Sequence, residues 1–114
     1  MSDCVFCRIV KKEIPANVIY EDDEVVAFED LNPQAPVHIL VIPRAHLATL
    51  NEVGEDRAGL IGKVVSAAVG IAADKGLAES GYRLVANCQA AAGQSVFHIH
   101  FHLMGGRNFT WPPG

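Results

Sequence analysis

The apolar positions of this chain alternate between strand and helix periods. Val18-Ile19-Tyr20 and Glu24-Val25-Val26-Ala27-Phe28 are β-favouring runs separated by the polar Glu21-Asp22-Asp23, which predicts a hairpin. His38-Ile39-Leu40-Val41-Ile42 is almost continuously apolar, as expected of a mid-sheet strand covered on both faces. Between Glu55 and Lys75, Leu60, Ile61, Val64, Val65, Ala68, Val69 and Ala72 recur at spacings of three and four, the broad apolar face of a long helix. Glu55 and Asp56 suit its positive end, and Gly76 is placed to close it in the left-handed conformation. Cys4 to Lys12 reads as a short helix with Phe6, Ile9 and Val10 on one side, and Pro15 lies beyond its end. Tyr82–Asn87 and His98–Met104 are the remaining strands. The order predicts a single α+β domain over residues 1–114, with one mainly antiparallel five-stranded sheet.

Composition narrows the function classes. Half of the 114 residues are hydrophobic and the mean hydropathy is +0.21, high for a soluble chain, so apolar surface shared between two subunits of a homodimer is expected. The net charge is −4 with no Lys/Arg cluster, which argues against binding a nucleic-acid polymer. The longest apolar stretch, Val64 to Ala73, is interrupted by Ser66 and is too short for a membrane span. The start lacks the basic and apolar regions of a signal peptide, and three cysteines cannot form a complete disulfide framework. Reduced thiols in the cytoplasm are therefore expected.

The chemistry concentrates near the C-terminus. On a strand, His98, His100 and His102 would project from one face while Ile99, Phe101 and Leu103 occupy the other. A core has no need of three adjacent polar rings, each of which must find a partner or stay desolvated. A histidine-rich surface strand and a surface metal tract are the bland alternatives. Cys4-Val5-Phe6-Cys7 has the spacing of half a zinc site; a redox role would need a thioredoxin-like βαβ context, which the pattern lacks. His38 could be a satisfied core histidine, and Cys88 reads as a small apolar packing residue.

Gly93-Gln94-Ser95-Val96-Phe97 followed by His98-Ile99-His100-Phe101-His102-Leu103-Met104 resembles the signature of the histidine triad (HIT) family, His-φ-His-φ-His-φ-φ with φ apolar. Asp30-Leu31-Asn32-Pro33-Gln34-Ala35-Pro36-Val37-His38 and Val41-Ile42-Pro43-Arg44-Ala45-His46 are similar to the family's first half-site. The tail from Gly105-Gly106-Arg107 to Trp111-Pro112-Pro113-Gly114 is similar to the ending of its Hint branch. The resemblance implies a HIT-like fold, a homodimer, and a nucleotidyl transferase or hydrolase acting at the α-phosphate of a purine nucleotide.

It also implies roles for individual residues. His100 matches the nucleophile and His102 the ring that contacts phosphate, with His98 completing the triad and His38 close behind it. Gly93, Gln94 and Ser95 match the loop around the α-phosphate and leaving group. Asp30 matches the ribose ligand, Leu31, Phe6, Ile9 and Phe28 the base enclosure, and Asn87 a pocket asparagine. Trp111 would reach toward the partner subunit's pocket. Some relatives with the cysteine pair hold zinc, which implies one structural zinc per chain on Cys4, Cys7, His46 and His98. The activity so implied is hydrolysis of purine nucleoside 5′-phosphoramidates. A dinucleoside polyphosphate hydrolase, a non-catalytic nucleotide-binding adaptor and a purely structural metal protein are the competing readings. Cys88-Gln89 departs from the eukaryotic Hint proteins, which implies a different leaving-group side.

Overall fold

The computed structural model describes residues 3–114. The chain forms α1 (Val5–Val10), β1 (Val18–Glu21), β2 (Val25–Glu29), β3 (Val37–Pro43), α2 (Glu55–Asp74), β4 (Tyr82–Ala86) and β5 (Phe101–Gly105), with single 3-10 turns at Leu50–Glu52 and Ala90–Ala92. All five strands pair antiparallel in the order β1-β2-β3-β5-β4. The α+β architecture agrees with the reading from apolar periodicity, including the hairpin, the central β3 and the glycine (Gly76, φ +75°) that ends α2.

Alternation along β2 and β3 divides the core in two. Val25, Ala27, Ile39 and Val41 join Leu103 of β5 on one face, where Val64, Ala68, Ile71 and Ala72 of α2 cover them. Val26, Phe28, Leu40 and Ile42 point the other way and pack against Phe6 and Ile9 of α1. Leu103 is fully buried beneath α2, and truncating it to Ala would cost about 2–5 kcal/mol. The long helix thus braces one face of the sheet and leaves the other to a six-residue helix. That thinner cover is what leaves room for a pocket.

Most boundaries fall within one or two residues of the sequence expectation, and one differs by more. Strand β5 begins at Phe101, three residues after His98. Its ladder with β3 ends at the Val41–Phe101 pair. Further back, the Pro43 carbonyl is taken by the His98 ring at 2.8 Å, and the Ile99 N–H donates to Leu47 O instead. The backbone at 98–100 therefore leaves the sheet to follow the Leu47 segment. The three rings still lie on the α1 side: Phe6 packs edge-on against both His98 and His100, and His102 stands opposite Leu40.

Candidate active site

The face covered by α1 holds a pocket of about 260 Å³. Phe6 and Ile9 from α1, Phe28 from β2 and Leu40 from β3 supply its apolar wall. Asp30 and Leu31 follow β2 at the rim, and Ser95, His100 and His102 form the polar end. Val5, Pro15, Ala16, Glu29 and Val96 complete the lining; none carries a motif that would mark it in the sequence. Leu31 is 96% exposed, so it edges the pocket without being core. A larger open groove of about 590 Å³ lies between Tyr20, Lys63 and Asp74, but none of the histidines borders it.

Hydrogen-bond partners fix the proton on each imidazole of the site. Gln34 donates its backbone N–H to His38 Nδ1 at 2.9 Å, so Nδ1 is the acceptor and neutral His38 carries its proton on Nε2. That Nε2 lies 2.9 Å from His102 Nδ1 and 3.4 Å from Asp30 Oδ2, so its N–H serves His102 first. His102 Nδ1 is then an acceptor and its own proton sits on Nε2. His100 Nδ1 lies 2.8 Å from His98 O; a carbonyl can only accept, so Nδ1 carries the proton and Nε2 keeps its lone pair. The pocket thus meets one ring with a nucleophilic nitrogen and one with an N–H donor.

Burial sustains this neutral arrangement. Desolvation, reinforced by the neighbouring His100 and His38, lowers the His102 pKa to about 4 despite the opposing charge of Asp30. His38 is also held below the usual imidazole value by burial, with Asp30 pulling it back up. Asp30 is itself oriented, its Oδ1 accepting the Asn32 N–H at 2.8 Å.

A second cluster lies behind the triad. His98 Nδ1 is 3.5 Å from both Cys4 Sγ and Cys7 Sγ and 3.3 Å from His46 Nδ1, which is 3.2 Å from Cys7 Sγ. Tetrahedral coordination of zinc by nitrogen and sulfur would set ligand atoms about 3.3–3.8 Å apart, close to these separations. The tautomer fits as well: His98 Nε2–H donates to Pro43 O, which leaves Nδ1 as a lone pair aimed at the thiols. Cys4, Cys7, His46 and His98 can therefore hold a metal ion, and all four ligand atoms lie within 4.8 Å of one another. Asp30, His38 and His102 are equally close together, but their chemistry differs. A metal on His38 Nε2 would force the proton onto Nδ1, against the Gln34 N–H. That set is a hydrogen-bond chain.

Helix α1 divides its residues between the two centres. Cys4, its N-cap, accepts the Cys7 N–H and faces the Cys/His cluster together with Cys7. Phe6 and Ile9 face the pocket. Sequence reasoning placed both sets on one element without showing that they share a wall.

The catalytic candidates His38 and His98 stand behind the pocket lining, and four of the substrate-binding candidates lie outside it. Gly93, at φ +92°, ends the 3-10 turn before Ser95, and the Gln94 side chain points inward. Asn87 follows the end of β4, next to the half-buried Cys88. Trp111 is 84% exposed at the end of a fixed tail. That tail is held by Arg107, which donates to Gln34 O, and by Phe109, whose ring packs against the Arg83 and Arg107 guanidiniums.

Comparison with known proteins settles the family. The HIT domain pattern matches residues 11–109. The chain belongs to the HIT domain family. It is 45% identical over 105 residues to the purine nucleoside phosphoramidase of Escherichia coli K12, covering 92% of this chain and 88% of that one. Among solved structures, the HIT family hydrolase of Legionella pneumophila superposes with a TM-score of 0.97 at 50% identity, covering 98% of this chain and all of that one. A HIT family hydrolase from Clostridium thermocellum gives 0.93 at 48% identity, with 96% of each chain covered. Among the described residues, no helix is long and apolar enough to cross a membrane.

Proposed function

We propose that this HIT protein is a hydrolase that cleaves the P–N bond of purine nucleoside 5′-phosphoramidates through a nucleotidyl-His100 intermediate. The observation that carries the proposal is the His98 carbonyl on His100 Nδ1, which leaves Nε2 unprotonated at the polar end of the pocket. The similarity to the E. coli phosphoramidase supports the substrate class.

The base lies against Phe6, Ile9 and Phe28 with Leu31 at its edge, and Asp30 accepts from the ribose hydroxyls. His102 Nε2–H and the Ser95 N–H and Oγ hold the oxygens of the α-phosphate. His100 Nε2 attacks phosphorus as the P–N bond breaks, and the departing amine takes a proton from water through Ser95 Oγ. The Nδ1–H bond to His98 O steadies the positive charge that forms on the imidazole. Water then attacks phosphorus, releasing the nucleoside monophosphate, the neutral imidazole and the proton consumed earlier.

A structural zinc ion on Cys4, Cys7, His46 and His98 belongs to this reading. Its charge would stabilise the two thiolates and fasten α1 to the His98 backbone, and it takes no part in the reaction. A homodimer and a cytoplasmic location complete the proposal. The partly exposed edge strand β4 and the 49%-exposed Val69 of α2 are surfaces that a two-fold contact would cover, and Arg83 of β4 holds the tail next to Trp111 by donating to Thr110 O at 2.8 Å. Sedimentation at micromolar concentration tests assembly, and a monomer would overturn it.

The decisive assay compares an AMP amide, a GMP amide and a diadenosine polyphosphate, using wild type and His100→Ala. Turnover of the amides, reduced by about three or more orders of magnitude in the variant with nucleotide binding retained, is the expected result. Variant activity within about tenfold of wild type would rule out the covalent route. Preference for the polyphosphate would select the dinucleotide hydrolase, and binding without turnover the adaptor.

A further inference from the structure

Gln94 is 5% exposed, and its carboxamide makes three hydrogen bonds inside the protein. Oε1 accepts the Gln89 N–H at 2.8 Å, while Nε2 donates to Ala48 O at 2.7 Å and to Val96 O at 3.1 Å. Both Nε2 hydrogens are used, so no donor is left for a phosphate oxygen, and the one remaining lone pair on Oε1 can only accept. The backbone N–H of Gln94 also donates to Gln89 O at 3.2 Å, so one residue ties both the N–H and the carbonyl of Gln89. Gln89 needs that hold: it is not glycine, yet it sits at φ +74°, a conformation that costs energy unless its surroundings impose it.

The two Nε2 bonds do different work. The bond to Val96 O folds residues 94–96 into a turn, so the intervening Ser95 points outward to the pocket edge beside His100. The bond to Ala48 O ties this turn to the segment whose neighbouring Leu47 carbonyl accepts the Ile99 N–H at 2.8 Å. The phosphate loop and the His98–His100 backbone are thus referenced to the same stretch of chain.

We propose that Gln94 is a positioning residue for the hydrolytic step: it never touches the nucleotide, but sets the Ser95 N–H and Oγ at a fixed place relative to His100 Nε2. This rests on the phosphoramidase reading and departs from the direct contact that the family resemblance implies for Gln94. Donors at a phosphorus centre accelerate the reaction only when they are already placed where charge develops. Base and ribose contacts at Phe6, Ile9 and Asp30 do not depend on Gln94, so its loss acts on kcat and spares KM.

The test uses the full chain carrying Gln94→Ala, Gln94→Glu, Ser95→Ala and the double alanine variant, assayed on an AMP amide. Gln94→Ala should lower kcat about ten- to a hundredfold with KM within about threefold of wild type. Gln94→Glu keeps the acceptor for Gln89 but sets a carboxylate against the Ala48 and Val96 carbonyls, so it should be at least as impaired. The double variant should be no slower than the slower single variant, since Gln94 acts through Ser95. Amide hydrogen exchange gives a reading without turnover: Ser95 and Val96 should exchange at least about tenfold faster in Gln94→Ala, while β3 and α2 amides stay protected. Additive losses, a raised KM with kcat intact, or unchanged exchange at Ser95 would each overturn the proposal. If wild type hydrolyses no phosphoramidate, the functional reading fails separately, and the exchange measurement alone decides whether Gln94 holds the loop.

Discussion

His38 Nε2 lies 2.9 Å from His102 Nδ1, and this contact decides which nitrogen of His102 faces the pocket as a donor. The order runs outward from the backbone: Gln34 N–H sets His38, His38 sets His102, and His102 presents Nε2–H. A ring with the wrong tautomer in the same place would offer a lone pair to phosphate oxygens that carry lone pairs of their own.

Replacing His38 with Phe should therefore preserve the packing and lose the tautomer. Turnover should fall by about 10²-fold or more, by analogy with other imidazoles deprived of the partner that fixes their proton. Nucleotide affinity should change far less, because the base wall is untouched. Steady-state kinetics with calorimetric AMP binding checks this; turnover within a few-fold of wild type would mean that His102 is oriented without His38.

Much of this site is legible in the sequence because its spacing is short. Alternation placed His98, His100 and His102 on one side, and the spacing of Cys4 and Cys7 pointed to the Cys/His cluster that the fold brings together. What the sequence hides depends on distant partners. Strand β5 starts late because the Pro43 carbonyl, 55 residues away, is bonded by the His98 ring. Gln94 turns inward because Ala48, 46 residues away, offers a carbonyl. No local pattern encodes either acceptor. Leu31 looks like core by residue type and is nearly fully exposed, since the rim of a pocket needs an apolar surface where no core exists.

The buried imidazoles should make the fold acid-sensitive in a defined window. With its pKa at about 4 in the folded chain, His102 stays neutral where the unfolded chain, near the ordinary 6.5, has taken up a proton. Unfolding then binds protons, so stability rises with pH between these values and is lost as pH falls from 6.5 toward 4. His38, lowered in the same direction, adds to the slope. Glu21 and Asp22, whose values are lowered from 4.5 and 3.8 by Arg44 and Tyr20 respectively, extend the loss at still lower pH. Denaturant midpoints measured across pH 4–7 should show a shallower decline in His102→Asn than in wild type. Equal slopes would place the proton uptake on other groups.

The Cys/His cluster proposed to hold zinc and the nucleotide pocket share α1, so each should respond to the other. Cys4 and Cys7 anchor the helix from one side while Phe6 and Ile9 line the pocket from the other, and the helix has only six residues to absorb a disturbance. His98 makes the connection tighter, because its ring faces the thiols and its carbonyl holds His100. Protein purified without chelator or affinity metal should contain about one zinc per chain, lost in Cys4→Ser/Cys7→Ser together with thermal stability. The same variant should bind AMP about tenfold more weakly, within the usual range for coupled sites. Linkage requires the reverse effect, so saturating AMP should slow zinc extraction by a chelator and shift its equilibrium by the same factor. Metal-free protein with unchanged melting would return the cysteines to ordinary packing. Zinc-loaded protein whose metal affinity ignores AMP would leave the metal in place and sever it from the pocket.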